Sequence, residues 1–316
     1  MPTLIAQALL QSLAAVRDRV ASVFLGKPDA IRLSLIALLA DGHLLLEDVP
    51  GVGKTLLGKA LARSLSCTFS RIQFTPDLLP GDLLGTNVFR QATGTFDFQP
   101  GPVFAQVILA DEINRATPRT QSALLEAMSE RQVTTDGVSR KLGPPFLVVA
   151  TQNPYEFEGT YPLPESQLDR FLLRVKIGYT ERDAERAILV QHRDGEPVDS
   201  LSPVIGPAEV AGLQAATHAV RVEPPVADYV LDLIVGTRTH PDVRLGASTR
   251  AALGLYRAAQ AAAVLANRDY VTPDDVKGLA EPVLAHRLMT KAWDQGGRDD
   301  AGPVVRDVVA RTRVPV

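Results

Sequence analysis

The sequence predicts an α/β protein, with a parallel sheet flanked by helices and interrupted by hairpin insertions, followed by a smaller all-helical domain. Three observations lead there. Apolar runs of strand length, Leu44-Leu45-Leu46, Val107-Ile108-Leu109-Ala110 and Phe146-Leu147-Val148-Val149-Ala150, alternate with segments of helical spacing, as strands buried on both faces of a parallel sheet do. Short strand-like runs around Gly-bearing turns break into that alternation, the mark of inserted hairpins. From about Thr180 onward only helical segments remain, separated by Pro/Gly/Asp-rich turns. The chain has 316 residues, 46% of them hydrophobic, enough for two domains with their own cores. A net charge of -3 and a pI near 6.0 give no overall basic field for nucleic acid, although local patches remain open. The single cysteine, Cys67, excludes an internal disulfide framework and a CxxC-type metal site, and points to a reducing compartment. Lying between Leu65 and Phe69, it reads as a buried structural thiol.

Taken in order, Leu4 to Val23 is interrupted by Gln7, Gln11, Arg17, Asp18 and Arg19 and lacks a basic n-region. It is therefore neither a membrane span nor a secretory signal, and a soluble, cytoplasmic protein is expected. Leu9, Leu13, Val16 and Val20 recur at helical spacing and make an amphipathic opening helix. The turn Phe24 to Pro28 leads into a second helix, Asp29 to Leu39, and either borders a base pocket or simply joins two packed helices. Next comes Leu44 to Thr55, an apolar strand that stops at Glu47-Asp48-Val49-Pro50-Gly51-Val52-Gly53-Lys54-Thr55 and runs into a helical segment, Leu56 to Leu65. This is the pattern of a phosphate-binding loop. Gly51 and Gly53 permit backbone angles and close approach that a side chain would block. The anion then rests on the N-terminus of the following helix. Lys54 would reach the β- and γ-phosphates, and the Thr55 hydroxyl would hold Mg²⁺. One departure stands out: the general pattern has its first glycine where this chain has Asp48.

Thr68 to Phe74 is a further strand. Thr86 to Arg90 and Thr95 to Gln99, around Ala92-Thr93-Gly94, form the first hairpin. The strand Val107 to Ala110 ends in Asp111 and Glu112, at the end where parallel strands present functional groups. Asp111 would assist Mg²⁺, directly or through water, and Glu112 would polarise an attacking water; as ordinary loop carboxylates they would do neither. Thr117 and Pro118 open a helix whose buried stripe is Leu124, Leu125 and Met128. Gln132 to Thr134 and Val138 to Arg140 flank an Asp136-Gly137 turn and make the second hairpin. The last apolar strand ends at Gln152-Asn153-Pro154, where Asn153 either orients a water or begins a turn. In the helical part, Asp194 to Pro207 is a loose link. The alanine-rich helix Thr249 to Ala266 is expected to bury Leu253, Tyr256, Ala263 and Val264, with Gln260 interrupting that face. Thr272-Pro273-Asp274-Asp275 opens another helix with a capping box. The charged tail after Gly296 is expected to be less ordered. No N-K-x-D motif for reading guanine is present.

Five stretches, GVGKT (51–55), VILADEINRA (107–116), ATQNP (150–154), LPESQLDRF (163–171) and LGASTRAALGLYRAAQ (245–260), resemble the MoxR family of AAA+ ATPases in order and spacing, over nearly the whole chain. The resemblance implies an AAA+ P-loop core with a five-stranded parallel sheet in residues 1–178 and a helical lid in 179–316, closing over the nucleotide. It implies ATP and Mg²⁺ as cofactors, held by Pro50, Gly51, Val52, Gly53, Lys54, Thr55, Leu56 and Asp111, and it tolerates Asp48. By the same resemblance Asn153 is the sensor 1 residue, Arg170 an arginine finger acting on a neighbouring subunit, and Arg250 the sensor 2 residue, preceded by Thr249 where the family frequently has Pro. Arg115 and Arg131 are further interface candidates, and Arg170 could instead pair on the surface with Asp169. The hairpins fall where the family carries its helix-2 and pre-sensor-1 inserts, which line the pore or touch substrate in related rings. The implied assembly is a homo-oligomer, a hexameric ring, working with a von Willebrand factor A domain protein on a client protein or complex. A nucleic-acid motor is the first rival, but the hairpins offer only Arg90, Arg140 and Lys141 with Phe89, Phe96 and Phe98. A nucleotide-gated scaffold without turnover is the second.

Overall fold

The computed structural model describes residues 7–49, 51–153, 159–292 and 300–315. Helix α1 (Gln7–Ala21) buries Leu13, Val16 and Val20 from the expected stripe, and α2 (Pro28–Leu39) is buried along most of its length. Strand β1 (Leu44–Glu47) enters the glycine loop, which opens α3 (Lys54–Ser64); β2 (Phe69–Gln73) and the short α4 (Pro80–Leu84) follow. The first insert is the antiparallel pair β3 (Gly85–Arg90) and β4 (Thr95–Pro100), ahead of β5 (Val107–Asp111) and α5 (Pro118–Glu130). The second insert is β6 (Gln132–Thr135) and β7 (Val138–Lys141), turned by Asp136 and Gly137 with φ of 52° and 77°, the double left-handed turn that suits a two-residue hairpin. The core ends with β8 (Leu147–Gln152), the single-turn α6 (Glu165–Leu168) and β9 (Leu173–Val175).

Strands β2-β5-β8-β1-β9 form one five-stranded sheet, all neighbours parallel. Its register decides where the chemistry goes. Glu47 lies opposite Gln152 and Gln73 opposite Asp111, so the carboxyl ends of four strands emerge side by side beyond the apolar rows. The pleat sorts side chains onto two cores. Leu45, Ile108, Val148 and Ala150 pack with Phe74, Leu124, Leu125 and Phe171 on one face. Leu44, Leu46, Leu109 and Val149 pack on the other against α1, α2 and α3.

The second cluster continues without a break into all but the first of the C-terminal helices. These are α7 (Arg182–Gln191), α8 (Pro207–His218), α9 (Pro224–Thr239), α10 (Thr249–Leu265), α11 (Pro273–Leu284) and α12 (Gly302–Arg311). Leu213, Tyr229, Leu255, Leu279 and Val305 share the cluster with Leu35 and Leu39 of α2. A two-stranded ladder, β10 (Val243–Leu245) with β11 (Met289–Thr290), and a single bridge between Arg221 and Tyr270 interrupt the helices of this part. Ser248 caps α10 by accepting from the Ala251 amide at 3.1 Å, and Thr272 with Asp275 forms the capping box of α11.

Three expectations need correction. Ala263 and Val264 of the expected face are buried and Tyr256 is half-buried, but Leu253 is 55% exposed, and α10 also buries Ala251, Leu255, Ala258, Ala259 and Ala262. Small side chains let α10 approach its neighbours closely, so the alanine rows form the packing face. The tail expected to be loose contains α12, whose Val305 and Val308 dock on the helical cluster. Cys67 is half-buried, with burial pushing its thiol up to about 11. Among the described residues no helix is long and apolar enough to cross a membrane.

Candidate nucleotide site

The glycines do what the loop requires. Gly51 and Gly53 have φ of 84° and 88°, and a Cβ on Gly53 would come within 3.0 Å of the Phe24 ring. The chain therefore turns at once from β1 into α3, and the first amides of α3, beginning at Lys54, have no helical partners. Lys54 Nζ donates to the Asp48 carbonyl at 2.6 Å and the Gln152 carbonyl at 3.4 Å. Burial lowers the Lys54 pKa, opposed by the pull of Asp48, Asp111, Glu112 and Glu47. Such an ammonium holds an anion strongly.

Asp111, at the tip of β5, is gripped from both sides. Thr151 of β8 donates to Oδ1 at 2.7 Å, while Arg71 of β2 donates to Oδ2 at 2.7 Å. The Thr55 hydroxyl faces Oδ2 at 3.4 Å. These hard oxygens fit Mg²⁺, which takes one or two protein oxygens and fills its shell from phosphates and water. Glu112 follows with φ of 56°, a left-handed angle uncommon outside glycine. Its amide donates to the Thr151 hydroxyl at 2.9 Å, and its Oε2 accepts from Gln73 at 2.8 Å and pairs with Arg115 at 3.1 Å. Glu112 thus lines the same cavity as Asp111 while its carboxylate is held by Gln73 and Arg115.

Gly51, Val52, Gly53, Lys54, Thr55 and Leu56 line one cavity of about 710 Å³. Asp111, Glu112 and Asn153 join them, and Phe24, Lys27, Tyr179 and Ile188 lie on its walls. The turn after α1 thus borders the cavity, and α7 with the Gly178–Thr180 stretch, at the start of the helical part expected to close over it, lines it as well. Pro50 lies outside the described residues. Arg170 and Arg250 do not line the cavity. Arg170 donates to the Leu125 carbonyl and to Ser129 Oγ at the end of α5, and Arg250 faces Asp169 at 3.8 Å. Arg131 is taken up by Asp41, at 2.8 Å to its carboxylate and 2.7 Å to its carbonyl.

Three residues in the site escaped the sequence reading: Arg71, Gln73 and Thr151. Arg71 and Gln73 stand two apart on β2, and Thr151 precedes the amide pair after β8. Polar residues at alternate positions near a strand's carboxyl end were the available signal, and only the strand order shows which carboxylates they meet.

Comparison with known proteins agrees with this geometry. The ATPase family associated with various cellular activities (AAA) matches residues 43–173, and the AAA lid domain matches residues 235–307. The chain is 47% identical to YeaC of Bacillus subtilis over 95% of this chain and 93% of that protein. It is 44% identical to Chaperone MoxR1 of Mycobacterium tuberculosis, covering 84% and 73% respectively. Protein MoxR of Paracoccus denitrificans is 32% identical, with 93% of each chain covered. A crystal structure from Cytophaga hutchinsonii superposes with a TM-score of 0.90 at 36% identity, covering 99% of this chain and 97% of that one.

Proposed function

Because this chain belongs to the MoxR family of AAA+ ATPases, we propose that it hydrolyses Mg·ATP as a homo-oligomer, a hexameric ring, and uses the cycle to remodel partner proteins. The observation carrying this reading is a division of labour. Lys54, Thr55, Asp111, Glu112 and Asn153 converge on one cavity, whereas Arg170 turns away from it onto α5. A cavity that gathers these groups while Arg170, like Arg250, stands outside it is one that a second copy completes by supplying the finger. Residues 1–178 are then the ATPase core and 179–316 the lid.

In this mechanism the loop amides and the α3 N-terminus take the β- and γ-phosphates, and Lys54 exchanges the Asp48 carbonyl for a phosphate oxygen. Thr55 and Asp111 would hold Mg²⁺, which would supply charge that neutralises the phosphates. Glu112 accepts a proton from the water that attacks in line, and the Asn153 amide orients that water. Arg170 of the adjoining copy stabilises the charge that develops on the transferred phosphoryl group.

The inserts support a protein client over nucleic acid. Phe89 and Phe96, 52% and 69% exposed, pack ring to ring at 5.2 Å on the first hairpin, while Arg90 beside them is neutralised by Asp97. An exposed aromatic pair beside a paired arginine suits apolar peptide segments better than a phosphate backbone, and Arg140 of the second hairpin lies over the Phe98 ring at 3.7 Å. Similarity to Chaperone MoxR1 favours the same reading. A von Willebrand factor A domain protein is the co-factor we expect, in the cytoplasm. Glu112→Gln should retain ATP binding and lower turnover by about 10²- to 10⁴-fold, measured by fluorescent-nucleotide titration alongside phosphate release. Near-normal turnover would remove Glu112 from its role.

A further inference from the structure

Arg287 is a buried cation that the hydrolytic scheme does not use. It ends the helical turn Ala285–Arg287 that follows α11, and its side chain is 3% exposed. Its guanidinium is directed at one loop of the core: Nη2 donates to the Phe171 carbonyl at 2.7 Å and the Asp169 carbonyl at 3.4 Å, Nε lies in ion-pair contact with Asp169 Oδ1 at 3.2 Å, and Nη1 has no hydrogen-bond partner among the described residues. His286 adds a bond from Nε2 to the same Phe171 carbonyl at 3.0 Å. The remaining Asp169 oxygen faces Arg250 at 3.8 Å and the Ser248 hydroxyl at 3.4 Å. Between Asp169 and Phe171 stands Arg170.

The packing is built around this contact. A Cβ on Gly254, in the middle of α10, would come within 2.8 Å of Arg287 Nη1, although a helix interior favours alanine over glycine. Burying a guanidinium is costly, and an apolar side chain of similar volume would hold two elements together at least as well. What an arginine adds is a planar fork that fixes the direction of the groups it binds. Here those groups are the backbone carbonyls on either side of Arg170 and the carboxylate next to it.

We propose that Arg287 is the positioning residue of the finger: it clamps the backbone on both sides of Arg170 to the helical C-terminal part, so that movement of those helices moves the finger. This rests on reading Arg170 as the finger. The Arg170 side chain stays free to leave the Leu125 carbonyl and Ser129 for a neighbour's phosphate, while its Cα is held from behind. Arg287 touches no nucleotide.

The test uses full-length mixed oligomers. Arg287→Met should keep ATP affinity and assembly but lose about 10²-fold in kcat, the scale of an ångström of misplacement. Mixed with Lys54→Ala subunits, which lack a working site but carry an intact finger, Arg287→Met subunits should regain turnover, because their own sites are sound and only the finger they offer is misplaced. Arg287→Lys, a point charge without the fork, and Asp169→Asn, which keeps the shape, should show the same one-sided defect if Arg287→Met fails to fold. Arg170→Ala, run in parallel, separates the two readings. If Arg170→Ala is rescued by Lys54→Ala and the Arg287 and Asp169 variants are not, or if those variants turn over normally, the clamp is refuted while the finger stands. If Arg170→Ala itself is unimpaired, the finger reading fails first.

Discussion

Asp48 occupies the position of the first loop glycine, and its side chain is fully engaged. It accepts from its neighbour's amide, Val49, at 2.8 Å and from the Gly178 amide, where the core strand β9 gives way to the first C-terminal helix. Gly178 itself has φ of 68°. The carboxylate thus tethers the entry of the phosphate loop to the joint of the molecule, and its carbonyl meanwhile holds Lys54. A glycine could supply the backbone angle but not the tether. Asp48→Gly, which restores the general loop pattern, is expected to lower stability by about 1.5–3 kcal/mol, the range for bonds to a charged acceptor, read as a lower urea midpoint. An unchanged midpoint would show that the tether contributes nothing.

At the scale of elements, α10 shows how a helix can be specified by what lies beside it. Ser248 starts it, alanines pack it, Gly254 makes room for Arg287, and Gln260 is buried at 4% exposure. Gln260 Nε2 donates to the carbonyls of Val220 at 2.8 Å and His218 at 3.3 Å, groups that the end of α8 leaves over. The glutamine therefore does not interrupt a packing face; it caps a neighbouring helix from inside the core. Gln260→Leu, with nearly the same volume, should cost about 1–3 kcal/mol by leaving those carbonyls buried without a donor. Chemical denaturation of the two proteins side by side checks this, and equal stability would mean that water or a backbone shift replaces the amide.

At the scale of the whole molecule, the sheet, the N-terminal helices and the C-terminal helices share an apolar cluster, and two histidines are sealed within the fold. His43 accepts from the Val148 amide and bonds the Met128 carbonyl through its other nitrogen, which leaves no place for an added proton. Burial brings its pKa down to about 4, and His286, buried beside Arg287 and Arg174, falls well below its ordinary value as well. The unfolded chain titrates these rings near pH 6.5. It therefore binds more protons than the native state between about pH 6.5 and pH 4. Stability is fully present above that window and is lost as pH falls through it, by about 3 kcal/mol for His43 alone at 1.36 kcal/mol per unit. Denaturation midpoints from about pH 7.5 to pH 5, above the ordinary carboxylate range, should fall steadily, and less so in His43→Gln; a flat profile would place both rings in contact with solvent.

By itself the sequence determined what local physics controls. Apolar runs of strand length that stop at turn residues read as buried strands, Gly51 and Gly53 mark the turn into a helix N-terminus, and Asp-Gly sets a hairpin. The pair Asp111 and Glu112 at a strand end marks where to look for the site. Periodicity, glycine freedom and carboxylate chemistry act over a few residues, so they can be read one after another along the chain. The tertiary structure alone decided partnership between distant residues. It gave Asp48 to Gly178, Asp111 to Arg71 and Thr151, Arg250 to Asp169, and the loop around Arg170 to Arg287. Each pairing depends on the strand order and on the face that the C-terminal helices bury. A polar side chain states that it needs a partner, but which one it meets is set by the packing of the whole core.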